Sequence, residues 1–583
     1  MKSIRYAKRW RIEPSDSAAY RRGELVRPVK QLVFYIDSLM PVKWNPYIKA
    51  GAESWNKAFE KIGFKDVICV KEFPKNDTLF NANSFDCMTI RYSASWLNSA
   101  QTTIHSDTRT GEILNASILI NANMISVQYA DRIGATVAID PRVRTTVFPQ
   151  EIQGELIQAA IAQAVGTGLG LTMNWGASCA YPVDSLRSAS FTQKYGLASS
   201  VMGGVIINDV ATEEDVRNGV CLVNTKPGPY DELVIKYLYQ PIYASSLQEE
   251  KETLDSWIRK HTGDPYYAYI RNQSRFDSDP RNSRGSLGDD HLKSFDYMLP
   301  NVRKGFENYY SWFAKEDRDF LMRRRVHSAL SERLSGRIYA ILSYIGGIYL
   351  NDIREKDAIP SYSMVDREKQ KAALSKALEL AKNLDWVDDT AHLNEFEISD
   401  KKADRLRLDI FNGIFGRLPY VEVCTERFPD AAYTASEYLD DIYGIVWEGV
   451  LKHRPLENFE RALQTAFLES IISTSTATAP IGSFKASKTG FAATGKPEIN
   501  LAALRNGGKV DMKMYSLQNA EEVAGFSSIP PIYTNQTKIA AYYFDLLMRT
   551  KDMLKKAIST APEADRSHYD LLIYRINKAT EIE

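Results

Sequence analysis

The chain has 583 residues, and its 73 basic and 73 acidic side chains give a formal net charge of zero at pH 7. This balance provides no general attraction to nucleic acid or to an anionic membrane surface, so neither is expected as a partner. Hydrophobic residues make up 44% of the chain. No stretch approaches the run of about 18 apolar residues that would predict a membrane-spanning helix.

The first part of the chain predicts four strands and two helices. Short runs of apolar, β-branched and aromatic residues predict four strands, at 31–37, 67–70, 87–92 and 112–121. Apolar residues at helical spacing predict a helix over 46–62, which Gly63 terminates. A second helix is expected over the alanine-rich stretch 151–168.

The remainder of the chain predicts helices. Apolar residues recur at helical spacing in seven stretches, at 300–315, 316–352, 366–384, 402–417, 434–473, 537–558 and 563–580. Two polar segments rich in small residues, 272–290 and 471–497, are expected to be loops. The fold class is therefore α+β, with a first domain over 1–240 and a helical domain over 241–583.

The most informative motif lies at the end of the helix expected over 151–168. Residues 163–173 read Q-A-V-G-T-G-L-G-L-T-M. Their spacing is that of H-E-x-x-H-x-x-G-x-x-H, in which three histidines bind zinc and the glutamate takes a proton from bound water. Gly170 stands where the pattern has its glycine, but the ligand positions hold Gln163, Thr167 and Met173. Ala164 occupies the position of the general base.

These substitutions remove the chemistry of a zinc site. An amide and a hydroxyl are weak neutral ligands, a thioether prefers softer ions than zinc, and an alanine side chain cannot transfer a proton. The chain has seven histidines, and none of them lies between residues 106 and 260. We therefore expect no catalytic residue at these positions, no zinc and no other cofactor.

The flanking sequence extends the pattern. The stretch V-G-T-G-L-G-L-T-M-N-W-G-A-S-C-A-Y-P-V begins at residue 165, and S-S-V-M-G-G follows at 199–204. The motifs R-W-R-I-E-P at 9–14 and D-T-R-T-G-E-I-L at 107–114 precede them. Together they resemble a large bacterial family of secreted zinc-dependent metallopeptidases of the metzincin type, which carry uncharacterised domains ahead of the peptidase domain.

The resemblance implies a metzincin-like peptidase domain in which Gly170, Asn174 and Met202 are scaffold residues. Met202 corresponds to the methionine of the Met-turn beneath the metal, whereas the Asp and Tyr that follow it in the family are replaced by glycines. No zinc ligand or catalytic residue of the family has a counterpart here. The resemblance also implies an exported, periplasmic or surface-attached protein. The N-terminus lacks the apolar segment of a signal peptide. The resemblance implies that the chain is the later part of a longer precursor.

The sequence leads to the hypothesis of a catalytically inactive peptidase homologue. It would bind a polypeptide, a glycan or a partner protein in the former cleft. In such peptidases an edge strand holds the substrate backbone, and we assign this role to 112–121, with a half-buried strand covered by a loop as the alternative. Two other functions stay open. One is an active hydrolase with a relocated site, for which the acidic candidates are Glu151, Glu155, Asp184 and Asp209. The other is a structural subunit of a cell-envelope complex.

Overall fold

The structure is a computed structural model that describes residues 7–270, 278–282, 286–392, 401–474 and 536–580, apart from positions 75, 78, 98–99, 352, 354 and 356. It divides into two compact units. The first contains residues 1–417 and 428–433, and the second contains 418–427 and 434–583. Residue 240, where the sequence suggested a domain boundary, lies inside the first unit.

The first unit contains a five-stranded sheet with the spatial order β2-β1-β3-β5-β4. Its strands are β1 (Leu32–Ile36), β2 (Ile68–Glu72), β3 (Met88–Ser93), β4 (Gln101–Ser106) and β5 (Ile113–Asn121). Strands β1, β2, β3 and β5 are parallel, whereas β4 runs antiparallel to β5. A second, two-stranded antiparallel sheet consists of β6 (Ile348–Leu350) and β7 (Tyr362–Met364).

Helices make up most of the remaining described structure. Those of the first unit are α1 (Ser17–Arg21), α2 (Asn45–Glu53), α3 (Asn56–Glu60), α4 (Ala122–Thr136), α5 (Gln150–Gly168), α6 (Ala189–Tyr195), α7 (Glu213–Arg217), α8 (Pro229–Tyr239), α9 (Leu247–Arg259), α10 (His291–Phe313), α11 (Leu321–Leu342), α12 (Arg367–Lys382) and α13 (Lys402–Gly416). Those of the second unit are α14 (Leu418–Arg427), α15 (Ala435–Val446), α16 (Glu448–Leu451), α17 (Asn458–Thr474), α18 (Gln536–Ala557) and α19 (Glu563–Thr580). No helix among the described residues is both long and apolar enough to cross a membrane.

The expected α+β class is confirmed, and all four predicted strands are present. The assignment of 112–121 as the edge strand is wrong, because β5 lies between β3 and β4. The two edge strands of the sheet are β2 and β4, and the sequence analysis missed β4. Its sequence Q-T-T-I-H-S is largely polar, and Thr103 and His105 are exposed, so it lacks the apolar run that marks a buried strand.

Several predicted helices differ in extent. The helix expected over 46–62 is two short helices, α2 and α3. The helix expected over 316–352 ends at Leu342, because Gly346 adopts a φ of +60° and the chain then enters β6. Helix α4 was not predicted. The loop expected over 471–497 lies outside the described residues beyond 474, as do residues 271–277 and 283–285 of the other predicted loop.

The core of the first unit lies between the sheet and helices α2 and α5. Alternate residues of β5 face this core, including the buried Ala116, Ile118 and Ile120. Trp55 is completely buried, and its indole N–H donates to Ala162 O of α5 at 2.8 Å. Thirteen of the nineteen residues of α5 are buried. The helix that carries the degenerate motif is therefore held on nearly all sides by protein.

Candidate functional site

The structure brings the three former ligand positions together. Gln163 and Thr167 lie one turn apart on α5, and Met173 follows the turn that ends the helix. The Gln163 amide Nε2 donates to Met173 Sδ at 3.2 Å, so the first and third positions contact each other directly. The two positions thus converge in space, and an amide-to-sulfur hydrogen bond joins them.

The side chains at the other two motif positions, Thr167 and Ala164, contact the protein itself. The Thr167 hydroxyl donates to Gln163 O, one turn earlier in the same helix, at 3.4 Å. Ala164, at the general-base position, is buried, and its exposed fraction is 5%. Its methyl group belongs to the apolar core of the unit. Neither side chain offers a charged or ionisable group to the cleft.

This donor set does not fit zinc. The Gln163 amide presents its N–H to Met173, whereas a metal would need an oxygen or nitrogen lone pair. Zinc sites are built from imidazole, thiolate and carboxylate groups, and none of these stands at the three positions. No group of three or more His, Cys, Asp or Glu side chains suited to a metal occurs among the described residues.

The turn that ends α5 requires a glycine at position 170. Gly170 has a φ of +89°, and the Leu171 N–H donates to Gly166 O at 3.0 Å while the Gly170 N–H donates to Thr167 O at 2.9 Å. These two bonds form a Schellman cap. A Cβ at Gly170 would lie 2.1 Å from Lys8 O, so the turn also needs the space that glycine leaves.

The last carbonyl groups of α5 are satisfied by side chains from distant parts of the chain. Trp10 Nε1 donates to Gly168 O at 2.8 Å, and the Tyr239 hydroxyl donates to Leu169 O at 2.6 Å. Trp10 belongs to the R-W-R-I-E-P motif, and Tyr239 ends α8. The N-terminal motif therefore has a structural role, because it caps the helix that carries the site.

Met202 packs directly against α5. Its side chain is completely buried, and a Cβ placed on Gly166 would be 2.5 Å from Met202 Sδ. The Asn174 N–H donates to Met202 O at 3.0 Å. The Asn174 side chain in turn donates to Ala268 O at 2.9 Å and accepts from the Ile270 N–H at 3.1 Å. Both residues hold backbone segments together around the former site.

A buried carboxyl group that the sequence analysis missed holds the Met-turn. Asp231 of α8 accepts hydrogen bonds from the Val201 and Gly228 N–H groups at 2.9 Å each, and its Oδ1 lies 2.5 Å from Ser200 Oγ. Burial raises the pKa of Asp231 to about 7, although these hydrogen bonds oppose the shift. The link spans about thirty residues, and the only local signal is an acidic residue in the first turn of a helix.

The edge strand β4 lies against the site helix. The Thr102 hydroxyl donates to Ala164 O at 2.9 Å, which fixes the strand to the turn of α5 that carries the former base position. Among the described strands β4 pairs only with β5, so its other edge carries backbone groups without a strand partner. Such an edge can accept an extended polypeptide as an additional strand.

The four acidic candidates for a relocated site do not converge. Asp209 is buried, and the side chains of Arg333 and Arg337 on α11 donate to it. Burial raises the pKa of Asp209, but the two guanidinium groups outweigh this and keep it below the ordinary value. The other three candidates lie elsewhere. Asp184 is exposed and binds Lys293 and Tyr297, Glu155 lies 3.9 Å from buried Arg132, and Glu151 is exposed.

A buried helix closed by a glycine turn, with a methionine packed beneath it, defines a metzincin-like, peptidase-related fold. The family model described as Met-zincin matches residues 145–454, slightly more than half of the chain. The chain belongs to the Met-zincin family. Neither the curated proteins nor the solved structures gave a match.

Replacing Gly170 with alanine should destabilise the first unit. The positive φ and the close approach of Lys8 O together predict a loss of about 2 kcal/mol or more in the free energy of unfolding. Gly168→Ala is the matched control, because its Cβ would meet only Ala116 and Thr102, at 3.4 and 3.7 Å. Chemical denaturation should show an unchanged or higher stability for the control. Equal losses in both variants would contradict the steric argument.

Asp231→Asn should become relatively more stable as the pH rises. The pKa of about 7 in the folded protein exceeds the ordinary value of 3.8, so the contribution of Asp231 to the free energy of unfolding is complete below pH 3.8 and is lost as the pH passes through 7. An amide reproduces the hydrogen bonds of the neutral carboxyl group and cannot ionise. Between about pH 4 and about pH 8 the free energy of unfolding of Asp231→Asn, relative to that of the wild type, should rise by about 4 kcal/mol.

Urea denaturation across this pH range measures the difference. Asp231→Ala is the control, since it removes the hydrogen bonds to Ser200 and to the backbone. It should be less stable than Asp231→Asn at every pH. A difference between wild type and Asp231→Asn that stays constant with pH would show that the carboxyl group titrates normally.

Proposed function

We propose that this protein is a catalytically inactive member of its family that binds an extended polypeptide in the former peptidase cleft. The observation that supports the absence of catalysis is the hydrogen bond from Gln163 to Met173. It joins two former ligand positions through neutral groups, and Ala164 offers no proton acceptor beside them. The cleft therefore has neither a Lewis acid nor a general base, the two groups on which metzincin hydrolysis depends.

The open edge of β4 supports the binding of an extended polypeptide. This strand is fixed to α5 through Thr102, so a polypeptide added to it would run along the helix that carries Gln163 and Thr167. Backbone hydrogen bonds to an edge strand are independent of the metal and survive its loss. A glycan makes no such ladder, which favours a polypeptide as the ligand. The family resemblance supports an exported location.

Restoring the four lost residues should restore metal binding. The quadruple variant Gln163→His, Ala164→Glu, Thr167→His and Met173→His should bind about one zinc ion per chain, because the scaffold still brings these positions together. The wild-type protein should contain almost none. Zinc is measured by elemental mass spectrometry on protein purified without chelators or a histidine tag.

The same two proteins should be assayed for hydrolysis of casein with and without a chelator. Activity that the chelator abolishes is expected only in the quadruple variant. Chelator-sensitive hydrolysis by the wild type would overturn the proposal. A folded quadruple variant that fails to bind zinc would show that the scaffold has been lost as well.

Binding along β4 can be tested with proline substitutions. The N–H groups of Thr103 and Ile104 point to opposite edges of the strand, so one of them faces β5 and the other faces the open edge. Proline at the residue whose N–H faces β5 should lower the free energy of unfolding. Proline at the residue whose N–H faces the open edge should keep the stability and weaken polypeptide binding by about fivefold, the equivalent of one net hydrogen bond.

The probe is fluorescently labelled casein, an unfolded polypeptide, and its binding is followed by anisotropy. Dextran is the glycan control. Saturable casein binding that the stable proline variant weakens would support strand addition. Absence of casein binding, or equal binding in both variants, would contradict it.

A further inference from the structure

The five-stranded sheet carries an open pocket of about 300 Å³ on one face. Side chains of a strand alternate between its two faces. On β4, Thr102 contacts α5, whereas its neighbour Thr103 lines the pocket. On β5, Ala116 approaches Gly168 of α5, whereas Ser117 lines the pocket. The pocket therefore lies on the face of the sheet opposite the former active-site helix, and it is separate from the cleft.

The loop that precedes β3 forms one wall of this pocket and is fixed to the sheet by two side chains. Asn115 Nδ2 donates to Phe85 O at 2.7 Å and to Cys87 O at 3.2 Å. Arg91 donates to Ala82 O at 2.6 Å and to Asn83 Oδ1 at 2.8 Å. The wall is thus held in place by hydrogen bonds, and the pocket is preformed in the structure.

The lining combines polar and apolar residues, and its only permanent charge is positive. None of its thirteen residues, all within the described part of the chain, is acidic. Hydroxyl, amide and imidazole groups surround a single guanidinium group, that of Arg91. The residues that supply them are Asn83, Ser84, Thr89, Thr103, His105, Asn115 and Ser117.

The charge of Arg91 is not neutralised within the described structure. This half-buried side chain donates only to neutral oxygens, those of Ala82, Asn83 and Thr89, and it has no ion pair with a described acidic residue. Its positive charge acts on Cys87, which also lines the pocket. Burial raises the pKa of the Cys87 thiol, and the charge of Arg91 partly offsets this rise. A partly desolvated guanidinium group without a carboxylate partner favours an anionic ligand.

Three further polar groups in the lining are available to such a ligand. The hydroxyl groups of Ser84 and Thr103 and the imidazole ring of His105 make no hydrogen bond to a described residue. The ring of His105 lies beside that of Phe85, with centroids 5.7 Å apart. The pocket thus offers one cation, several hydrogen-bonding groups without partners and one aromatic ring, a combination suited to a small polyhydroxylated anion.

We propose that this pocket binds an anionic monosaccharide, with Arg91 as the partner of its phosphate or carboxylate group and Ser84, Thr103 and His105 as partners of its hydroxyl groups. The volume of about 300 Å³ is at the lower end of small-molecule sites and suits a single sugar unit. The proposal does not depend on the inactive cleft or on polypeptide binding, because the two sites lie on opposite faces of the sheet.

Isothermal titration calorimetry of the full chain tests the proposal with three probes, glucose 6-phosphate, glucuronate and glucose. Saturable binding of either anion, with no binding of glucose, is the expected result. Preference for glucose 6-phosphate would identify a phosphate group as the anion, and preference for glucuronate would identify a carboxylate. Absence of binding by both anions, or equal binding of glucose, would overturn the proposal.

Two variants separate ligand binding from the structural role of Arg91. Arg91→Gln should weaken anion binding by about tenfold or more, because a charge-assisted bond is lost. Thr103→Val should weaken it several-fold without affecting the wall, since the Thr103 hydroxyl makes no bond within the described structure. Arg109→Gln is the matched control, because Arg109 is exposed and pairs with Asp107 outside the pocket. Anion binding that all three variants retain would refute the assigned site.

Discussion

The site depends most on the closure of α5 at Gly170. The carbonyl group of Lys8 occupies the space that a side chain at this position would need, and the backbone turns through a left-handed conformation. The N-terminal segment, α5 and the segment that carries Met173 can therefore meet only if residue 170 is glycine. Trp10 and Tyr239 then satisfy the exposed carbonyl groups of the helix end.

This construction explains how the arrangement persists without metal ligands. In an intact site, zinc joins the helix to the residue after the turn. Here the hydrogen bond between Gln163 and Met173 joins the same two positions, and the bond from Asn174 to Met202 O joins the turn to the segment beneath. The fold places these motif positions through packing and backbone hydrogen bonds of the protein itself, so their arrangement does not depend on a bound ion.

Much of the fold is encoded locally and could be predicted. The buried strands are rich in apolar and β-branched residues, and the motif around Gly170 correctly indicated the helix that ends there. The edge strand was missed because one of its faces is exposed and polar, with Thr103 and His105, and this pattern does not distinguish it from a loop. As a result, the edge was assigned to β5, the nearest strand with a recognisable apolar pattern.

Long-range polar contacts were beyond prediction for a different reason. Asp231 supports the Met-turn, and Asp209 binds two arginines of α11, yet neither contact leaves a periodic pattern in the sequence. A buried acidic residue and an exposed one look the same until the fold is known. Asp209 was a candidate for catalysis, and its burial between two guanidinium groups assigns it a structural role instead.

The two faces of β4 present different chemistry. Thr102 faces α5 and is bound to its backbone, whereas Thr103 and His105 face a pocket that contains a guanidinium group with no acidic partner among the described residues. Strand addition along the edge would use backbone groups, and a ligand on the outer face would use side chains. Changes in side chains on the outer face therefore alter one proposed activity without altering the other. Because the motif positions at Gln163 and Met173 lie on the opposite side of the sheet, we expect substitutions at them to leave the pocket unchanged.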